Sequence, residues 1–224
     1  ISLIVGLVAT LIILIIGTLL GSISAFFGGW VDLVIMRIVD IIYSVPDVLL
    51  IVLLSFGLKE PLRNLSTVAG FHWMEKVGPN LISIFIVFAL LYWGGMARMV
   101  RSQILLLKNS EYITASRALG QTNKKLITKH LLPNCIGTLI VTTTLQIPSS
   151  IFTESFLSFL GLGVQPPTPD WSVMINDAIM YYRSSAHLII IPGIFIFLLI
   201  YSINILGDAL RDRLDVRFSE VRKW

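Results

Sequence analysis

The sequence predicts an all-α bundle that crosses a membrane several times, and three observations carry that reading. Of 224 residues, 55% are hydrophobic and only 13% charged, about half the charged share of an average soluble domain, roughly 25%. The apolar residues fall in uncharged runs as long as the roughly 20 residues that a spanning helix needs, and the mean hydropathy is +0.85. The basic residues are gathered: of the 17 Lys and Arg, Arg98, Arg101, Lys108, Arg117, Lys124, Lys125 and Lys129 lie in one stretch, against the single acid Glu111.

Uncharged windows at 1–31, 77–97, 130–153 and 184–207 predict four spans. A fifth is expected over 31–58, where Asp32, Arg37, Asp40 and Asp47 interrupt Val, Ile and Leu at helical spacing and Pro46 breaks the run. It reads as a polar-faced helix packed inside the bundle. The chain opens on Ile1 within an apolar run, which reads as a spanning helix rather than a secretory signal and predicts a fragment whose upstream part is absent.

Positive residues stay on the cytoplasmic side of a membrane, so the segment 98–133 is expected there, as is a tail over 208–224. The loop over 161–183 is then external. Pro166, Pro167 and Pro169 make its first part a stiff non-helical connection, and a short surface helix is expected from Trp171 to Tyr182 with Met174, Ala178 and Tyr181 along one side. The whole chain, 1–224, reads as one transmembrane domain. Its net charge of +4 comes mostly from the basic segment, which also faces anionic headgroups; nucleic acid is not an expected partner. The one cysteine, Cys135, excludes an intrachain disulfide framework.

Inside the basic segment, Asn109 is placed as an N-cap, Glu111 in a first turn, Arg117 in a last turn, and Gly120 as the left-handed residue that stops a helix. A second helix is expected from about Asn123 to Pro133. Ala115, Ser116 and Ala118 leave a surface small enough for another protein's groove to close on it. The alternative is a helix lying on lipid, with Tyr112, Ile113 and Leu119 dipped into the interface.

The order and spacing of this segment resemble the loop signature of ABC importer permeases: Glu-Ala-Ala, three residues, Gly, nine residues, Ile, one residue, Leu-Pro. The matching positions are Thr114, Ala115, Ser116, Gly120, His130, Leu132 and Pro133. Thr114, Ser116 and His130 depart from the family's Glu, Ala and Ile, and Glu111 stands one turn before Thr114. Two further stretches, from Glu154 through Gly163 to Trp171 and from Gly28 through Asp32 and Asp40 to Pro46, are similar to the dipeptide, oligopeptide and nickel permease subfamily. They are most like its oligopeptide permease C-type subunit.

The resemblance implies a type I permease core of about five transmembrane helices, lacking the subfamily's customary amino-terminal helix, in the cell membrane of a prokaryote. It implies half of a translocation pathway for peptides, completed by a homologous second permease, two cytoplasmic ABC ATPases and an external substrate-binding protein. Glu111, Thr114, Ala115, Ser116, Ala118, Leu119, Gly120 and Pro133 would couple the chain to the ATPases. ATP and Mg²⁺ would be bound by those partners, because this sequence holds no Gly-x-x-x-x-Gly-Lys-Ser/Thr loop.

Ionisable residues in spans are costly and commonly functional. Asp40 is expected to pair with Arg37, three residues away. Asp47 either binds a backbone group freed by Pro46 or lines the pore, and Glu154 either faces that pore or holds the outer loop. His72, His130 and His187 show no ligand spacing, so no metal site is expected. An intramembrane hydrolase lacks its motifs here. A secondary transporter driven by protons through Asp47 and Glu154, or an ABC permease for nickel or another small solute, is the alternative function.

Overall fold

The structure, a computed structural model, describes residues 1–68, 77–164 and 170–214. The elements are α1 (Ser2–Phe27), α2 (Gly29–Ser44), α3 (Asp47–Ser66), α4 (Pro79–Leu91), α5 (Trp93–Leu107), α6 (Glu111–Ala118), α7 (Asn123–Lys125), a π-helical stretch (Leu126–Leu131), α8 (Leu132–Phe159), α9 (Trp171–Ala178), a 3-10 turn (Ile179–Tyr181) and α10 (His187–Leu214). Among the described residues, the segments Ser2–Phe27, Pro79–Leu107, Asn123–Phe159 and His187–Arg213 are long and apolar enough to cross a membrane, and the bent pair α2–α3 makes up to five.

Helix α1 is the centre of the packing, against α5 on one side and α8 on the other. Its buried residues Ala9, Ile13, Gly17, Gly21 and Ala25 recur every four positions and form one stripe. Lipid offers no hydrophobic force to drive helices together, so close backbone approach through small residues has to supply the contact. A Cβ added to Gly17 would stand 2.5 Å from Met96 Cβ, and one on Gly21 2.5 Å from the Ala97 carbonyl oxygen. The other side is tied by Thr10 Oγ1 donating to Ser150 Oγ (3.2 Å).

The segment 31–58 is not one helix inside the bundle. Pro46 has no N–H for the Ile42 carbonyl, and the residue before a proline is driven out of helical geometry; Val45 is extended (φ −102°, ψ 139°). The chain turns by 93° between α2 and α3. Helix α2 lies on the outside of the described chain, with Val39 its one buried residue, set against Trp93 and Ala97.

Three other boundaries differ from expectation. Helix α5 runs through Arg98 and Arg101 to Leu107, because those charges have partners on α2: Arg98 meets Asp40 at 2.7 Å and Arg101 meets Asp32 at 2.5 Å. Asp40 is therefore not paired with Arg37. Second, no helix ends at Pro133, which is the second residue of α8. The π stretch directly before it absorbs the missing i to i−4 bond, and Leu126 and Leu131, five apart, share the buried side. Third, α10 continues past Gly207 to Leu214.

At the far end, Asp170 caps α9 by accepting from the Ser172 N–H (2.9 Å) and also accepts from Ser2 Oγ. Trp171 stacks on Phe195 with ring centroids 6.0 Å apart. Along the expected side, Met174 and Tyr181 are exposed and Ala178 is buried. Pro166, Pro167, Pro169, His72 and the tail from 215 to 224 lie outside the described residues.

Candidate functional site

The α6 helix starts at Ser110, one residue after the expected cap Asn109. Ser110 is extended (φ −67°, ψ 153°), and its carbonyl accepts from the N–H groups of Ile113 (3.1 Å) and Thr114 (3.0 Å). Its hydroxyl instead donates to the Leu107 carbonyl (2.6 Å). The helix stops as expected at Gly120, whose φ of 77° is a conformation that side chains disfavour. Two bonds close that end, Gln121 N–H to the Ser116 carbonyl (3.3 Å) and Gly120 N–H to the Arg117 carbonyl (3.0 Å), the paired pattern of a Schellman cap.

The helix has two unlike sides. Ile113, Ser116 and Arg117 fall at i, i+3 and i+4 on the side toward the bundle, whereas Gly120, at the helix end, is exposed. Ile113 is fully buried in the cluster that holds Ile104, Leu131 and Cys135. The Arg117 guanidinium lies 6.0 Å over the Phe26 ring at the end of α1. Beyond the helix, Gln121 Oε1 and His130 Nε2 are 2.9 Å apart, and Asn134 Nδ2 donates to the Tyr112 hydroxyl (3.4 Å). Glu111, Thr114, Ala115 and Ala118 take the same spacing on the opposite side, and all are exposed. Beside them Leu119 is 83% exposed, an apolar side chain next to two alanines that none of the described residues covers. Pro133 is exposed on α8, apart from this face.

Residues that the sequence reading did not join hold the base of α6. Asp32, at the start of α2, accepts from Ser24 Oγ (2.5 Å) and from Arg101 through both carboxylate oxygens, 2.5 Å each. Lys108 Nζ donates to the Ala25 carbonyl (2.9 Å), one of the acceptors a helix end leaves open. The end of α1, the start of α2 and the end of α5 are thus clamped by charge. In sequence the one signal is an acid and a base of opposite sign in apolar runs at 32 and 101, and 69 positions separate them.

The two acids singled out in spans part company. Asp47 begins α3, is exposed, accepts from its neighbour's N–H, Val48, through Oδ1 (2.8 Å), and lines a cavity of about 460 Å³ at the α2–α3 corner. Glu154 is fully buried and does not line that cavity. It accepts from Ser158 Oγ (2.7 Å), and Ser158 Oγ in turn accepts from the Val164 N–H (3.0 Å), so its contacts run to the start of the outer loop.

The chain as a whole finds its counterpart in known proteins. The family described as "Binding-protein-dependent transport system inner membrane component" matches residues 17–220. The chain belongs to this family. As an inner membrane component with several apolar helices, it is a multi-pass membrane protein. It is 41% identical over 216 residues to the dipeptide transport system permease protein DppC of Bacillus subtilis (strain 168), covering 96% of this chain and 62% of that protein. It is 39% identical to the oligopeptide transport system permease protein OppC of the same organism, covering 96% of this chain and 64% of that protein. The chain thus spans less than two thirds of the length of these relatives. In structure it superimposes on a chain of the MetNI methionine ABC transporter in an inward-facing conformation with a TM-score of 0.66 at 19% identity, covering 95% of this chain and 92% of that one. That likeness establishes the shared type I permease fold.

Proposed function

We propose that this inner membrane component forms half of the translocation pathway of an ATP-driven importer of peptides in a prokaryotic cell membrane. The observation that carries the reading is the division of α6 into an anchored side and an unoccupied one. Ile113 and Arg117 fix the helix to α8 and α1, while Glu111, Thr114, Ala115, Ala118 and Leu119 offer a small-residue face with one apolar anchor. On this reading that face sits in the cytoplasm and docks into a groove of an ABC ATPase. Glu111, in the first turn, provides the acid that Thr114 does not.

The coupling follows from the contacts. Closure of an ATPase pair displaces α6, and because α6 is held through Phe26, His130 and Ile113, the displacement passes to α1 and α8 as a rigid-body movement. A homologous second permease, two ATPases and an external binding protein complete the importer; ATP and Mg²⁺ belong to the ATPases. Peptide as cargo is supported by the relatives, which are named for dipeptide and oligopeptide transport.

The test is reconstitution in proteoliposomes. The full complex is expected to hydrolyse ATP and import a dipeptide in a binding-protein-dependent manner, with the purified chain alone hydrolysing none. Uptake that persists without ATPases and follows a proton gradient would replace this reading with secondary transport.

A further inference from the structure

The α2–α3 corner has a composition that the import reading does not use. Its cavity of about 460 Å³ is walled by Ile42, Tyr43, Asp47, Leu50, Leu91 and Tyr92, among others. No basic residue is among its described lining residues. Arg98, whose guanidinium lies 4.9 Å over the Tyr43 ring, is already paired with Asp40. Asp47 is therefore the one charged group of the lining, and its Oδ2 has no hydrogen-bond donor among the described residues.

The backbone adds acceptors of the same sign. Pro46 has no N–H to give the Ile42 carbonyl, and the Val48 N–H turns to Asp47 Oδ1 (2.8 Å) instead of to the Ser44 carbonyl. The Leu49 and Leu50 N–H groups are taken by the Pro46 carbonyl (3.1 and 3.3 Å), so the start of α3 is largely satisfied from within and offers little to an anion. Breaks of this kind within membrane helices are tolerated where they line a cavity, and in secondary transporters discontinuous helices form the substrate and ion sites.

We infer that this corner receives the free amino terminus of a short peptide, with Asp47 as counter-ion and the rings of Tyr43 and Tyr92 as walls; the inference rests on the peptide-import reading above. An ammonium has three N–H donors and no acceptor, which suits one carboxylate oxygen and the open carbonyls of the broken helix. It also gains from aromatic faces. A calcium or magnesium ion does not fit, because each needs six or more oxygen ligands and the lining offers one carboxylate, half engaged. The volume lies within the range of small-molecule sites, about 300–1,000 Å³, and Ile42, Leu50 and Leu91 give an apolar berth for the side chain beside the amine. The site lies up to about 24 Å along α2 from the Gly28 corner, at 1.5 Å per residue over its 16 residues, and its wall residues Leu91 and Tyr92 stand midway along the apolar segment Pro79–Leu107.

The test uses the assembled importer in nanodiscs without its external binding protein, with radiolabelled dialanine and N-acetyl-dialanine as probes. The wild-type complex is expected to bind dialanine at least tenfold tighter than the acetylated peptide. Asp47→Asn is expected to erase that preference and Asp47→Glu to keep most of it, with co-elution of all subunits checked for each. Equal binding of the two peptides, an undiminished preference in Asp47→Asn, or no binding of either peptide overturns the inference. If the complex nevertheless imports dialanine once the binding protein is restored, the import reading survives; if it fails to assemble or to import, that reading falls first.

Discussion

The α1–α5 seam and helix α2 are made of similar residues and are used in opposite ways. Both are rich in Ile, Leu and Val, yet α1 buries a four-residue stripe down its length while α2 buries Val39 alone. What separates them is how many small residues each meets: Gly17 and Gly21 admit α5 to a distance where no Cβ fits, whereas α2 meets α5's Gly94 only through Val39 and Tyr43 and presents Leu33, Val34 and Ile41 outward. In a bilayer, hydrophobicity decides that a segment enters and small residues decide what it packs against.

The sharpest way to break this contrast is at the seam. Gly21→Val puts a branched side chain against the Ala97 carbonyl oxygen, 2.5 Å from the first added atom, and a backbone atom cannot rotate away. Overpacking costs about 1–3 kcal/mol or more. The variant is expected to show a strongly lowered unfolding midpoint in detergent and little protein in the membrane fraction.

Next in size is Gly120→Val, which forces a β-branched residue into left-handed geometry at a cost of roughly 1–2 kcal/mol at the end of α6 alone. Insertion and pairing with the second permease are expected to persist while co-purification of the ATPases and peptide uptake are lost. Ala115→Asp, on the outer face, is expected to act in the same way. Normal uptake by both would make α6 a lipid-surface element.

Asp32→Ala removes a bidentate partner from half-buried Arg101 and an acceptor from Ser24. Hydrogen bonds to charged groups contribute about 1.5–3 kcal/mol, and the partial exposure of this pair puts the loss toward the lower end. A moderate fall in thermal stability is expected, with cysteine cross-linking between α2 and α5 weakened. The smallest effect belongs to Leu53→Ala on the outer face of α3, exposed in this chain: about 0.5 kcal/mol or less. A larger loss measured only in the assembled complex would identify that face as a subunit contact.

The spans were legible because uncharged windows are local, and α6 was legible because Gly120 and the charges of its end turns act within one helix. What was hidden depends on distant pairing. The 77–97 window closes at Arg98, yet α5 continues because Asp40 and Asp32, on another helix, neutralise Arg98 and Arg101. Pro46 was readable as a break, but its 93° bend and the displacement of α2 to the outside depend on how little of α2 finds a small-residue partner. Asp47 and Glu154 look alike as acids in apolar runs. Ser158, four residues from Glu154 and bonded to it, is the local signal that distinguishes a satisfied buried acid from an open one.

The π-helical stretch from Leu126 to Leu131 sets an angular phase. One surplus residue in a turn rotates all that follows by about 100°, so α8 is aimed independently of α7. Buried Leu126 and Leu131 are five apart while buried Leu131 and Cys135 are four apart, the mark of a frame shift inside a continuous rod. Deleting one residue there would restore an unbroken 3.6-residue rhythm and swing Ser150 away from Thr10. The irregular turn is thus the adjustment by which a helix docked on α6 at one end keeps its polar residues facing α1 at the other.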